Sequence, residues 1–357
     1  MSEFNLSPAR LGLLLACQTL GAVIASPFAG FASARFGSRS LLRISAPASA
    51  LTFAFIALAP STRLFALALF STGASSCFAG VAMNAQAVAL EGSYRRTILS
   101  MMHGGFSIGM MVGALIAALV THLGVSYQAH LLVVAALLLA NGLAIGFFLI
   151  ETDRPPRMRR GRVILSLPLV LIVAVAFLDF FCEGTASSWS SVYMHDSIGA
   201  SSALAALTFG LFSLTMTLGR LFGDRLVLAI GVGAIVGVGG LIAACGIGLA
   251  VAIPMPLTVM IGFALFGFGL SCQAPILFRA AGQLPLPEGQ GIVALMASMW
   301  VSTLLVAPVI GGLASITSLR GALLLTLGTA VAMVLLSRGL GRSAPTPLAS
   351  AEPGQSR

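Results

Sequence analysis

The chain has 357 residues, of which 58% are hydrophobic and 8% charged, and its mean hydropathy is +1.04. A soluble domain spends roughly 25% of its residues on Asp, Glu, Lys and Arg, so 19 basic and 10 acidic side chains cannot coat a water-soluble globule of this size. The net charge of +9 does not point to nucleic acid, because every basic residue is Arg and they stand in short clusters between apolar stretches, the pattern of a membrane protein's loops.

A bilayer-spanning helix needs about 20 apolar residues, so the intervals free of charge convert into spans. Residues 11–34, 41–60 and 64–88 each predict one helix. Ala32-Ser33-Ala34 has the form of a signal cleavage site, but the apolar run before it exceeds a signal peptide's core and reads as a retained span. The interval 97–150 holds no Asp, Glu, Lys or Arg and predicts two spans divided at Gly124–Tyr127. An Arg-rich loop follows, then spans over 164–187 and 201–223. Residues 226–278 again predict two spans, punctuated by Ile253-Pro254-Met255-Pro256. Spans over 290–316 and 320–338 bring the total to eleven.

The expected organisation is a five-helix bundle over 1–150, a basic cytoplasmic linker over 151–163, a six-helix bundle over 164–341, and a disordered tail, rich in Pro, Ser and Ala, over 342–357. With eleven spans the termini lie on opposite sides. The arginines divide 16 to 3 between the two sides, with only Arg10, Arg63 and Arg320 in the minority. The positive-inside rule then puts the C-terminus in the cytoplasm and the N-terminus outside. The five cysteines show neither CxxC nor Cys/His metal spacing and read as small packing residues. No nucleophile, metal or cofactor motif stands out. Gly267-Phe268-Gly269 is a fragment of a dinucleotide pattern, but inside a membrane span it reads as close packing.

The two halves repeat weakly. GFASARFGSR from Gly30 matches GRLFGDRL from Gly219 at an offset of 190, and Gly80–Asn84 matches Gly269–Gln273 at 189. Parallel halves joined by a long cytoplasmic loop form a known transporter architecture. The segment Gly30 to Arg39 is similar to the loop signature G-x-x-x-D-R-x-G-R-R of the major facilitator superfamily. GVAMNAQAVALE (80–91), ILSMMHGGFSIGMMVGA (98–114), FLDFFCEGTASSWSSVYMHD (177–196) and FSLTMTLGRLFGDRL (212–226) resemble a bacterial branch of largely uncharacterised inner-membrane transporters. The resemblance implies an all-α, two-bundle fold and a monomer in the bacterial inner membrane that moves a small solute by alternating access. It also implies a cytoplasmic gating latch at Gly30, Arg35, Gly37, Arg39, Asp224 and Arg225. Two departures stand out. The helix from Leu11 corresponds to the family's second, so the first is missing, and Ala34 replaces the signature's Asp. The latch is therefore expected to depend more on Asp224. The same departures keep open a truncated or non-transporting membrane protein of this fold.

Ionisable residues inside spans are the default functional candidates. Asp179 and Glu183 lie one helical turn apart on one face, which Ser187 continues. The 13 Ile, Leu, Val and Phe residues between 164 and 182 contribute about −4 to −8 kcal/mol to insertion, against roughly +5 to +7 for two acids at mid-membrane. Such a pair suits a wet or protonated site, hence proton coupling by symport or antiport; the alternative is a solvated outer helix end. His103, on a face with Ser100 and Ser107, is a proton relay or a hydrogen-bonded structural histidine. Asn84 and Gln273 read as paired amides for a hydroxyl-rich solute, or as interhelical bonds. Trp189 caps the cavity or joins an interfacial aromatic belt, and Trp300 faces a sugar ring or packs. The expected partners are lipid, protons and a small-molecule substrate.

Overall fold

The computed structural model describes residues 7–94, 99–151, 165–284, 286 and 290–340. The first half comprises α1 (Pro8–Phe36), α2 (Ser38–Leu58), α3 (Thr62–Tyr94), α4 (Leu99–His122) and α5 (Tyr127–Ile145). The second comprises α6 (Leu167–Val192) with a π-helical turn over Tyr193–Ser197, then α7 (Ser202–Ile230), α8 (Val232–Ala252), α9 (Pro256–Leu270), α10 (Gln273–Gly282), α11 (Gln290–Ile316) and α12 (Leu319–Leu340). Among the described residues no strand occurs. Ten helical stretches are long and apolar enough to cross a bilayer, with Pro256–Gly282 counted as one. In the 24-residue α4, the described apolar stretch is the shorter Ile108–His122. The predicted punctuation holds: α4 gives way to α5 across residues 123–126, and α8 to α9 across 253–255.

Local chemistry sets the helix ends. The hydroxyls of Ser7, Ser126 and Ser166 accept from the backbone N–H groups of Arg10, Ala129 and Leu169, satisfying donors that a first turn leaves without a carbonyl. Gly37 (φ 80°) separates α1 from α2 and Gly231 (φ 81°) separates α7 from α8. Both lie in the left-handed region that only glycine enters at little cost.

These two glycines fix the register of the internal repeat. Both α1 and α7 have 29 residues, both α2 and α8 have 21, and corresponding ends differ throughout by 194. The starts of α3 and α9, Thr62 and Pro256, keep the same offset. The motif match read from sequence, at 190, is therefore displaced by about one helical turn from the backbone repeat. Similar residues recur on the same helix face but at a different depth.

Within the first half α1 and α2 pack on α3, and α2 on α5. The halves meet where α1 crosses α11 and α4 crosses α7. Gly12 makes the first crossing possible. A Cβ there would collide with the carbonyl oxygen of Ala307, with Pro308 Cα also only 3.1 Å away. The second crossing brings the Ala114 methyl against Gly210. The continuous apolar core lies in the second half, where Val175, Phe263, Phe266, Ile247 and Ile310 are fully enclosed.

Candidate functional site

Helix α6 is tied to α11 and α12 by hydroxyls. Ser298 and Ser302 of α11 donate to the carbonyls of Val173 and Phe177 at 2.9 and 2.7 Å. Thr326 of α12 reaches Thr185, and Thr329 meets the Cys182 thiol at 3.2 Å. Two other residues of α6, Asp179 and Glu183, share one face, and the neighbouring α7 supplies their cation.

Arg220 donates through Nη2 to Glu183 Oε1 at 3.2 Å, and through Nε to the Ser271 carbonyl at 3.3 Å. The Arg220 and Glu183 side chains remain 28% and 22% exposed. Asp179, near the middle of the 26-residue α6, is fully buried. Neither of its carboxylate oxygens has a hydrogen-bond partner among the described residues. It lies one helical turn before Glu183 on the same face. The acids therefore do not sit at a solvated helix end. The guanidinium pairs with Glu183 alone, and in a poorly solvated setting a second negative charge on Asp179, with no partner of its own among the described residues, is costly.

Sequence reasoning missed Arg220 because it was counted with the loop arginines. Helix α7 continues ten residues beyond it, to Ile230, which places Arg220 inside the bundle. The available signal was its spacing, one turn ahead of Asp224 in GRLFGDR. Ser271 was missed as well. It lies at an interruption between α9 and α10, against Gly219, where a Cβ would collide with its hydroxyl.

The two amides are not brought together. Asn84 is exposed on α3, its Nδ2 donating to Gly80 of the same helix. Gln273 is fully buried at the start of α10, beside Gly239 of α8; its Nε2 donates to Gly269, and its Oε1 has no partner among the described residues. At the backbone offset of 194, the counterpart of Asn84 is Phe278. Trp189 is fully buried against Gly311 of α11, so it does not stand in a lipid-facing belt. Below the same end of α6, Tyr193 donates to the Ala250 carbonyl at 3.1 Å. Trp300 is half-buried on α11. His103 belongs to α4, but its side chain lies outside the described residues.

Of the gating-motif residues, Gly30 is exposed with no neighbour within 4 Å of a built Cβ, and Arg35 lies over the Phe36 ring at 5.7 Å. Gly37 makes the turn, and Arg39 pairs with Glu151 at 3.1 Å. The side chains of Asp224 and Arg225 lie outside the described residues. A further polar contact on this side was not foreseen. The buried Gln86 donates to Ser38 Oγ and to the Ile150 carbonyl, each at 2.8 Å, and accepts from the Ile150 N–H at 3.1 Å.

Two helical bundles related by an internal repeat, with ionisable residues enclosed in one of them, define a multi-pass membrane transporter. The family profile of the Major Facilitator Superfamily matches residues 1–281, and the chain belongs to that family. It is 32% identical over 319 residues to an uncharacterized MFS-type transporter of Yersinia pestis, covering 89% of this chain and 83% of that protein. It is 33% identical over 325 residues to an uncharacterized transporter of Sinorhizobium fredii, covering 90% and 86%. Membrane protein MosC of Rhizobium meliloti is 28% identical over 343 residues, covering 94% and 83%. Among solved structures, the fold is similar to that of the nucleoside transporter NupG, with a TM-score of 0.72 at 13% identity, covering 95% of this chain and 92% of that one. A D-xylose-proton symporter gives 0.75 at 14% identity, covering 96% and 90%.

Proposed function

We propose that this chain is a proton-coupled secondary transporter of a small solute, working by alternating access in the bacterial inner membrane with the motif loop at Gly37 and the linker after α5 on the cytoplasmic side. Asp179 and Glu183 carry the coupling. The observation behind this is the fully buried Asp179, without a hydrogen-bond partner among the described residues, beside a Glu183–Arg220 pair. One guanidinium balances one carboxylate, and a proton is the smallest charge that balances the other.

In this reading residues 1–150 and 164–341 form the two moving bundles, 151–163 is the basic cytoplasmic linker and 342–357 the disordered tail. Asn84, Gln273, Trp189 and Trp300 contact the solute, His103 assists proton transfer, and the loop motif with Asp224 and Arg225 latches the cytoplasmic side. The contacts of Gly12 with Ala307, Gly311 with Pro8 and Gly210 with Ala114 lie toward the helix ends away from Gly37 and Gly231. With the motif loop assigned to the cytoplasm, the described arrangement is the one closed on the outside. The fold shared with NupG and a D-xylose-proton symporter supplies a framework; the coupling assignment rests on the acids of this chain.

The test is pH-gradient quenching in proteoliposomes challenged with a panel of sugars, nucleosides, amino acids and lipophilic cations. The expected result is a solute-dependent proton flux that Glu183→Gln abolishes while solute exchange persists. Full pH-driven uptake by the Glu183→Gln protein would overturn the assignment.

A further inference from the structure

Helices α9 and α10 form one membrane-crossing stretch interrupted at Ser271 and Cys272. The repeat makes this interruption specific to the second half. At the offset of 194 its counterpart is Cys77 and Phe78, inside the unbroken α3. Neither residue at the break is a proline or a glycine, but Pro275 lacks the N–H that would bond the Ser271 carbonyl four residues back, so the sequence itself frees that carbonyl. Tertiary contacts then take up the freed groups. Ser271 donates to the Phe268 carbonyl at 2.7 Å and fills the space left by Gly219, and the Cys272 thiol faces the Gly219 carbonyl at 3.5 Å. The next residue of α7 is Arg220, which holds the Ser271 carbonyl and the Glu183 carboxylate at the same time.

Interrupted membrane helices place backbone groups where ions and substrates act, and such breaks are natural hinges. We propose that Arg220 is the positioning residue that couples the charge on Glu183 to the break between α9 and α10, holding the break shut while Glu183 is ionised and releasing it when Glu183 is neutralised. This rests on the proton-coupled reading above. An ionised Glu183 fixes the guanidinium in an orientation from which Nε also reaches Ser271, so both bonds stand or fall together. Once Glu183 takes up a proton, the guanidinium loses its anionic partner there, and Asp179 one turn away is the remaining carboxyl on that face of α6. Moving toward Asp179 withdraws Nε from the break.

The charged and titratable groups around Glu183 are few. Asp179 and the buried Cys182 thiol lie on α6 itself and Arg220 on α7. Asp224 and Arg225 follow on α7, with side chains outside the described residues. Helices α9 and α11 carry no charged residue, α10 carries Arg279 in its last turn together with the start-flanking Cys272, and α12 has Arg320 and Arg338 toward its two ends.

Cys272, a buried native thiol at the break, is the reporter. The full-length protein in proteoliposomes is treated with N-ethylmaleimide between about pH 8 and pH 5, a range that spans carboxylate titration. Adduct formation at Cys272 is read by mass spectrometry and normalised, at each pH, to the same chain unfolded in SDS. Normalised labelling of the wild type is expected to rise at least about fivefold on acidification, the effect of removing a charge-assisted hydrogen bond from a local opening equilibrium. Glu183→Gln is expected to label fast at every pH. Arg220→Lys keeps the charge but lacks the two-ended fork, so it too is expected to label fast, without a pH profile. Wild-type labelling that does not change with pH, or Arg220→Lys labelling that follows the wild-type profile, would overturn the proposal. Either could occur alongside intact solute-driven proton flux, so failure of this inference is distinct from failure of the coupling assignment.

Discussion

Replacing Gly12 by alanine tests how the two halves are held together. A Cβ on Gly12 meets the Ala307 carbonyl oxygen, the Ala307 carbonyl carbon at 3.0 Å and Pro308 Cα at 3.1 Å. All three are backbone atoms, so no rotamer change relieves the contact and α1 must move away from α11. Overpacking of this kind costs about 1–3 kcal/mol. Alanine is the better helix former by about 1 kcal/mol, but α1 stays helical whichever way the halves are tilted, so that gain cancels between the two arrangements. The contact cost does not cancel, because only the apposed arrangement brings α1 onto α11. The ratio of the two arrangements should therefore shift by about 5- to 150-fold, the factor that corresponds to about 1–3 kcal/mol. Spin labels at Ser7→Cys and Ser315→Cys, both exposed near this crossing, in a chain otherwise free of cysteine, report the separation by double electron–electron resonance. Gly12→Ala should deplete the short-distance population. An unchanged distance distribution would refute the backbone-contact argument.

Asp179→Asn removes the second carboxyl with little change in side-chain volume, so solute-driven proton flux should disappear; thermal stability in detergent should hold or rise, because the amide cannot carry an unpaired buried charge. Gln86→Leu deletes three hydrogen bonds that join α2, α3 and the stretch after α5. It leaves the Ile150 N–H and carbonyl without those bonds and should destabilise by about 1–3 kcal/mol, measured as a lower melting temperature, whereas Arg39→Gln, at a largely exposed ion pair, should cost less than about 1 kcal/mol.

Much of this fold is legible in composition and punctuation. Charge-free intervals predict the helices, and Pro254 with Pro256 and Gly124 mark two of the turns, because proline and glycine act on the backbone locally. The interruption at Ser271 and Cys272 carries a mark of the same kind, Pro275, which cannot bond the Ser271 carbonyl four residues back. What meets the freed carbonyl is Arg220, 51 residues away beside the flat surface of Gly219, and one-dimensional patterns do not contain that juxtaposition. The acids of α6 are legible because charge inside an apolar run is conspicuous, whereas their cation is not, because an arginine near a helix end looks like any loop arginine. The pairing of Asn84 with Gln273 fails for a related reason. Sequence similarity aligned a motif at an offset of 189, while the glycine turns at 37 and 231 aligned the backbone at 194, and the five-residue difference moves the amide by more than a turn and onto another face of the helix.

The partnership of α4 has a consequence for biogenesis. Among the described residues, α4 packs mainly on α7 of the opposite half and only sparsely on α3 and α5. Ribosomes deliver roughly 5–20 residues per second, so α4 leaves the insertion machinery several seconds before its principal neighbour has been translated. During that interval the face of α4 that carries Ala114, which meets Gly210 of α7 in the finished fold, is turned to lipid or the insertase. The first half thus reaches its final packing only when the second arrives, and chains arrested before α7 should be the preferred substrates of membrane quality-control proteases.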